Sequence, residues 1–121
     1  MSHSIAIVDD EHDTVQLFKD ILTTNGYDVT GFTNPLLALE HIKENQEEFD
    51  LVLSDYRMPY LHGSDLAQKI TEINVRIKVI IITALDYIDN NPLNLTVFIK
   101  PISLSKLIDI VRNNISIKVN N

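Results

Sequence analysis

The sequence has no cysteine and few basic residues, and both absences limit what the protein can do. Without cysteine, it forms no disulfide and offers no thiolate as a nucleophile or metal ligand, which fits a reducing compartment. The 10 Lys and Arg residues are outnumbered by 17 Asp and Glu residues, so the net charge is −7 at pH 7. Because nucleic-acid affinity depends on basic side chains that displace counterions, we expect no direct binding to nucleic acid.

Long apolar segments are also missing. Runs such as Val79–Ile82 are far too short to cross a bilayer, and the segment Met1–Asp10 has no basic stretch followed by a long apolar one. We therefore expect no membrane insertion and a cytoplasmic location. A chain of 121 residues is long enough for one domain with its own core and too short for two ordinary ones. We expect one domain over residues 1–121, in which residues 113–121 form a frayed polar tail.

Short apolar segments alternate with amphipathic ones. Most of the apolar segments are continuous rather than alternating, as is typical of strands that are buried on both faces of a parallel sheet. The predicted strands are Ser4–Val8, Tyr27–Phe32, a segment beginning at Leu51, Lys78–Thr83 and Thr96–Ile99. This alternation predicts an α/β fold with a doubly wound, five-stranded parallel sheet, which in the flavodoxin-like arrangement has the strand order 2-1-3-4-5.

Helices are predicted between the strands and after the last one. The first covers about Asp13–Asn25, and we expect Asn34, Ser64 and Ser103 to cap the helices that follow them. The segment between the fourth and fifth strands is different. Pro92 and several asparagines stop a helix there within about two turns, so a shortened fourth helix is predicted.

Polar side chains follow four of the five predicted strands. Asp9 and Asp10 follow the first, Asp55 the third, Thr83 ends the fourth and Lys100 follows the fifth. Each has an ordinary structural explanation by itself, as a helix-start acid, a strand end or a solvated charge. Together they favour a ligand site, because the carboxyl ends of parallel strands meet at one edge of the sheet.

A group of carboxylates at this edge requires a cation. Two carboxylates about 4 Å apart repel each other by roughly 4 kcal/mol at an effective dielectric constant near 20. Ligands that are all oxygen, with room for water, favour Mg²⁺ over zinc. A magnesium ion beside a lysine and a hydroxyl suits phosphoryl transfer, for which the central carboxylate, Asp55, is the natural nucleophile.

These motifs resemble those of the receiver domains of two-component response regulators, in particular the chemotaxis-type single-domain receivers. The motifs are IAIVDDE at 5–11, LVLSDYRMPYLHG at 51–63, Thr83-Ala84 and Lys100-Pro101, in the family's order and at close to its spacing. The resemblance covers nearly the whole chain. It implies a signalling protein that catalyses only its own aspartyl phosphorylation and dephosphorylation and is not otherwise an enzyme.

The resemblance also implies the chemistry of the site. A phosphohistidine of a sensor histidine kinase or phosphotransfer protein would donate its phosphoryl group to Asp55. Mg²⁺ would be held by Asp10, Asp55 and the backbone carbonyl of Arg57, while Asp9 would act through a bound water. Lys100 would pair with a phosphoryl oxygen.

Further residues would respond to the phosphoryl group or tune its lifetime. The Thr83 hydroxyl would turn towards a phosphoryl oxygen, and the small Ala84 would leave room for it. Arg57 and Leu85 would flank the group and affect its hydrolysis.

The sequence departs from the family at Val97, where an aromatic switch residue usually stands three positions before the lysine. Phe98 is adjacent but is expected on the opposite face of the strand.

A phosphorylated receiver would signal to a downstream protein that the sequence does not name. Two alternatives to this function stay open. One is a pseudo-receiver that binds proteins without phosphorylation, against which the intact acidic set argues. The other is a hydrolase of the same fold, for which the loops are too short.

Overall fold

Five apolar segments form the strands and four amphipathic segments form the helices of this protein, in a computed structural model that describes residues 3–85 and 93–115. The strands are β1 (Ser4–Val8), β2 (Asp28–Phe32), β3 (Phe49–Ser54), β4 (Lys78–Thr83) and β5 (Thr96–Ile99). The helices are α1 (His12–Thr24), α2 (Pro35–Glu44), α3 (Gly63–Ile73) and α4 (Leu104–Asn114). Among the described residues, none of these helices is long and apolar enough to cross a membrane.

All five strands are parallel, and their order is β2-β1-β3-β4-β5. The predicted flavodoxin-like order is therefore confirmed. β1 lies between β2 and β3, so Ile7 is in register with Leu53. This order brings the carboxyl ends of β1 and β3 side by side, followed by those of β4 and β5.

Helices cover both faces of the sheet, and alternate strand residues point to each. Leu51 and Leu53 pack with α1 and α4, whereas Val52 packs with α2 and α3. Fully burying an aliphatic side chain of this kind contributes about 1.5–3 kcal/mol. Both faces of β3 are thus packed in the core, so Asp55, which follows β3, extends from a rigid strand.

Two of the three predicted helix caps are confirmed. Asn34 Oδ1 accepts a hydrogen bond from the Leu36 amide at 2.8 Å, and Ser103 Oγ accepts one from the Lys106 amide at 3.0 Å. The cap predicted at Ser64 is wrong, because α3 begins at Gly63 and its N-cap residue is His62, which makes no side-chain cap bond. The turn after β3 brings the chain into the helix two residues earlier than the cap signal indicates.

The prediction of a shortened fourth helix falls on residues 86–92, which lie outside the described residues. The prediction that a frayed tail begins at residue 113 is wrong about its starting point. α4 continues through Asn114, and Ile115 is buried against the α1 and α4 cluster. Apolar burial of Ile115 therefore holds the end of this helix, and residues 116–121 lie outside the described part of the chain.

Gly63 lets the start of α3 approach the end of β3. A Cβ atom at this position would overlap the Asp55 carbonyl oxygen and would lie 3.0 Å from Tyr56 Cα and 2.9 Å from Ile81 Cδ1. The Gly63 amide also donates a hydrogen bond to the Tyr56 carbonyl at 2.6 Å. The backbone of the loop after β3 is therefore in direct contact with α3.

We predict that Gly63→Ala lowers the free energy of unfolding by about 1–3 kcal/mol, because the added methyl group overlaps backbone atoms that cannot move independently. Urea denaturation with an unchanged m-value would measure this loss. Gln68→Ala, at an exposed position on the same helix, is the control and should change stability by less than about 0.5 kcal/mol. Equal stabilities for the two variants would contradict the packing argument.

Candidate functional site

The carboxyl edge of the sheet gathers the residues that the sequence analysis singled out. Asp9 and Asp10 follow β1, and Asp55 follows β3. Each of the three carboxylates places an oxygen within 4.8 Å of the others. Asp9 is buried, Asp55 is half-buried and Asp10 is exposed, so one side of the cluster faces solvent. This donor set fits a divalent cation that prefers oxygen ligands and keeps part of its water shell.

Lys100 lies against the same carboxylates. Its Nζ atom is 2.6 Å from Asp9 Oδ2 and 3.6 Å from Asp55 Oδ2, and its side chain is only 16% exposed. The Lys100 amide donates to the Thr83 carbonyl at 2.7 Å, which extends the pairing of β4 and β5 by one residue. The ammonium group therefore offsets the negative charge of two of the three carboxylates, those of Asp9 and Asp55.

Burial and charge act in opposite directions on this ion pair. Burial raises the pKa of Asp9 above its ordinary value, although the hydrogen bonds from Lys100 and the Glu11 amide partly offset it. Burial alone would lower the pKa of Lys100, but the hydrogen bond to Asp9 and the nearby acidic charges raise it overall. Lys100 consequently stays charged at neutral pH.

Thr83 and its neighbours form the side of the site towards β4. Thr83 is buried, and its Oγ1 accepts a weak hydrogen bond from the Leu85 amide at 3.4 Å. Ala84 is exposed and Leu85 is half-buried. The structure thus places Thr83 at the end of β4, with its hydroxyl directed to the backbone of the following segment.

The loop after β3 contributes Arg57, which is exposed. Met58 is buried and anchors the loop in the core, whereas Tyr60 is exposed with a φ of 74°. Left-handed backbone costs a non-glycine residue about 1–2 kcal/mol, so this turn is held by the packing around it. The metal-ligand role of the Arg57 carbonyl stays a prediction.

The structure also shows two groups that the sequence analysis missed. The Tyr56 amide donates to Asp55 Oδ1 at 2.7 Å, and the Ser54 hydroxyl donates to the Asp55 carbonyl at 2.8 Å. A single hydroxyl at the end of the apolar run of β3 was the available signal for Ser54. Backbone donors such as Tyr56 leave no signal in residue types.

Val97 and Phe98 lie on opposite faces of β5, as the strand period predicts. Phe98 packs against the α1 and α4 cluster, with Lys106 Nζ 5.3 Å from its ring centroid. Val97 is in register with Ile81 of β4. Phe98 therefore packs in the core on the α4 side. It does not take the place of the aromatic residue that the family usually has at the position of Val97.

Comparisons with known proteins agree with this geometry. The family model described as the response regulator receiver domain matches residues 5–112. Sporulation initiation phosphotransferase F of Bacillus subtilis is 31% identical over 99% of both chains. The response regulator receiver protein CpdR of Brucella abortus is 35% identical over 73% of this chain and 72% of its own length.

A solved structure has the same fold and a related sequence. The CheX-CheY-BeF3-Mg²⁺ complex from Borrelia burgdorferi superposes with a TM-score of 0.83 at 26% identity, over 92% of this chain and 87% of that one. The range matched by the family model includes all three carboxylates of the acidic cluster and Lys100. The chain therefore belongs to the response regulator receiver domain family of two-component signalling.

Proposed function

We propose that this receiver accepts a phosphoryl group on Asp55 from the phosphohistidine of a sensor histidine kinase or phosphotransfer protein. The observation that carries the proposal is the position of the Asp55 carboxylate, within 4.8 Å of oxygens of Asp9 and Asp10 and 3.6 Å from Lys100 Nζ. A pseudo-receiver would not need this complete set, so the binding-only alternative is less well supported.

Magnesium is the proposed cofactor. Asp10 and Asp55 would bind it directly, together with the Arg57 carbonyl, and Asp9 would act through a water. The pairing of Asp9 with Lys100 and the exposure of Asp10 support this division. When bound, Mg²⁺ neutralises the carboxylates and the charge on the transferred oxygens. The Borrelia burgdorferi relative, whose complex contains Mg²⁺ and BeF3, supports the same choice.

The transfer is an in-line displacement at phosphorus. An Asp55 oxygen forms a new bond to phosphorus while the bond from phosphorus to the imidazole nitrogen of the donor breaks, and the imidazole leaves with that electron pair. The Tyr56 amide orients Asp55 through Oδ1. Lys100 then pairs with a phosphoryl oxygen, which requires it to give up part of its contact with Asp9.

Thr83 is the proposed link to the output. Its hydroxyl would turn to a phosphoryl oxygen and so change its contact with the Leu85 amide. Such a contact exists only in the phosphorylated state and can therefore shift a population. Ala84 would leave space for the group, while Leu85 and Arg57 would modulate attack by water.

The proposed output is binding to a downstream protein, and the only reactions that the chain would catalyse are its own phosphorylation and dephosphorylation. We take residues 1–121 as one receiver domain. Since sensor kinases transfer phosphoryl groups inside the cell, this function implies a cytoplasmic location.

Asp55→Asn should abolish phosphorylation, because an amide oxygen is a far weaker nucleophile than a carboxylate. The measurement is the intact mass after incubation with acetyl phosphate and Mg²⁺, in which the unaltered protein gains one phosphoryl group. Asp50→Asn is the matched control, since Asp50 lies near the other end of β3. Full labelling of the Asp55 variant would refute the acceptor assignment.

Asp10→Ala should weaken Mg²⁺ binding by about tenfold, as expected for the loss of roughly 1.4 kcal/mol of ligand interaction. Titration followed by amide chemical shifts would determine both dissociation constants. Asp65→Ala removes an exposed carboxylate in the first turn of α3 and should leave the affinity unchanged. If both variants bound Mg²⁺ like the unaltered protein, Asp10 would not be a ligand.

The Asp9 and Lys100 pair should show a coupling energy of about 1–2 kcal/mol at pH 7 without Mg²⁺ in a cycle of Asp9→Asn and Lys100→Met. Because the pKa of Lys100 is raised, the charged lysine contributes its full stabilisation at any pH below the ordinary lysine pKa of 10.5. This contribution is lost only as the pH rises above that value. Because the pKa of Asp9 is raised above its ordinary value of 3.8, the coupling begins to fall at a higher pH than it would for an unperturbed aspartate, as Asp9 becomes neutral in the folded state.

The exposed pair of Asp109 and Arg112, 3.7 Å apart on α4, provides the control cycle. Its coupling should be below about 0.5 kcal/mol. Coupling energies of the same size in the two cycles, measured by urea denaturation, would show that burial does not strengthen the Asp9 and Lys100 pair.

A further inference from the structure

Ser54 carries a buried hydroxyl that the proposed chemistry does not use. Ser54 is the last residue of β3 and follows the apolar run Leu51–Leu53, and only 1% of its surface is exposed. Burying a hydroxyl costs free energy unless it finds a hydrogen-bond partner. The partner of Ser54 Oγ is the backbone carbonyl of Asp55, at 2.8 Å, so this hydroxyl bonds to the proposed phosphoacceptor residue itself.

The bonded carbonyl belongs to the peptide unit between Asp55 and Tyr56. A peptide unit is planar, so the orientation of its carbonyl also determines that of its N–H group. That N–H is the Tyr56 amide, which donates to Asp55 Oδ1 at 2.7 Å. The Ser54 hydroxyl is therefore connected to the Asp55 carboxylate through one rigid group.

The peptides on either side of this unit are held by other hydrogen bonds. The preceding peptide is held by the ladder, because the Asp55 amide donates to the Val8 carbonyl at 2.9 Å. On the far side, the Gly63 amide holds the next peptide by donating to the Tyr56 carbonyl at 2.6 Å, and the missing side chain of Gly63 leaves space for the Asp55 carbonyl. Ser54 supplies a directional bond at the point where the strand ends.

We propose that Ser54 is a positioning residue for phosphoryl transfer, which holds the peptide between Asp55 and Tyr56 so that the Tyr56 amide orients the Asp55 carboxylate. The inference rests on the proposed function of Asp55. In-line attack requires the nucleophilic oxygen in a defined direction, and misplacement by about 1 Å can cost up to about a hundredfold in rate. The charge of the site is unaffected by Ser54, so its effect is on orientation.

The test uses two pairs of side chains that differ in the hydroxyl. Ser54→Ala removes the hydroxyl at the smallest change in volume. Ser54→Thr keeps it, and Ser54→Val has nearly the volume of threonine without it, so the last two share any steric strain. Thermal denaturation of each variant monitors folding.

Two readouts separate orientation from general damage. The first is the amide proton shift of Tyr56 in the unphosphorylated protein, which should move upfield in the Ala and Val variants as the bond to Asp55 weakens, and should be retained in the Thr variant. The second is the initial rate of phosphorylation by acetyl phosphate at saturating Mg²⁺. It should fall about tenfold in the Ala and Val variants and by less than about twofold in the Thr variant.

The results distinguish this inference from the proposed function. If the unaltered protein gains no phosphoryl group, the proposed function fails, and the Tyr56 shift alone decides whether Ser54 orients the carboxylate. An unchanged Tyr56 shift in the Ala and Val variants overturns the inference. Equal rates for the Thr and Val variants, in a protein that is phosphorylated normally, also overturn it.

Discussion

The mutual repulsion of three carboxylates at one edge of the sheet is the constraint on which the site depends. Asp9, Asp10 and Asp55 bring oxygens within 4.8 Å of one another, a separation at which two unscreened charges repel by several kcal/mol at intermediate dielectric. Lys100 offsets part of this repulsion from within the fold, through its contact with Asp9 at 2.6 Å. The exposed side of the cluster, at Asp10, is where a further cation can add the remaining charge.

Backbone hydrogen bonds carry the pairing of the sheet beyond the ends of its strands. The Asp55 amide bonds to Val8 and the Lys100 amide bonds to Thr83, although both donors follow the last residue of a strand. Asp55 and Lys100 therefore extend from backbone that is hydrogen-bonded to the neighbouring strand. Charged groups can be kept close together in this way, because the rigid scaffold resists the movements that would separate them.

The proposed switch would act through Lys100 and Thr83. Lys100 divides its contacts between Asp9 and Asp55, and the Thr83 hydroxyl bonds only weakly, at 3.4 Å, to Leu85. Both groups are held by interactions that a phosphoryl group could replace. Phe98 is fixed against α4 and Val97 is small, so in this receiver the response would depend on the segment that follows Thr83 rather than on an aromatic side chain of β5.

The sequence by itself determined the five strands, the four described helices and the order of polar residues at the strand ends, because apolar periodicity and end residues are local signals. It also predicted that Asp55 meets Asp9 and Asp10, since parallel strands share one edge. Only the tertiary structure decided that Lys100 pairs with Asp9, 91 residues away, and that the Ser54 hydroxyl bonds to the Asp55 carbonyl. The first contact depends on the distance between separate elements, which is set by packing of the whole core, and the second depends on the path that the backbone takes at the end of β3.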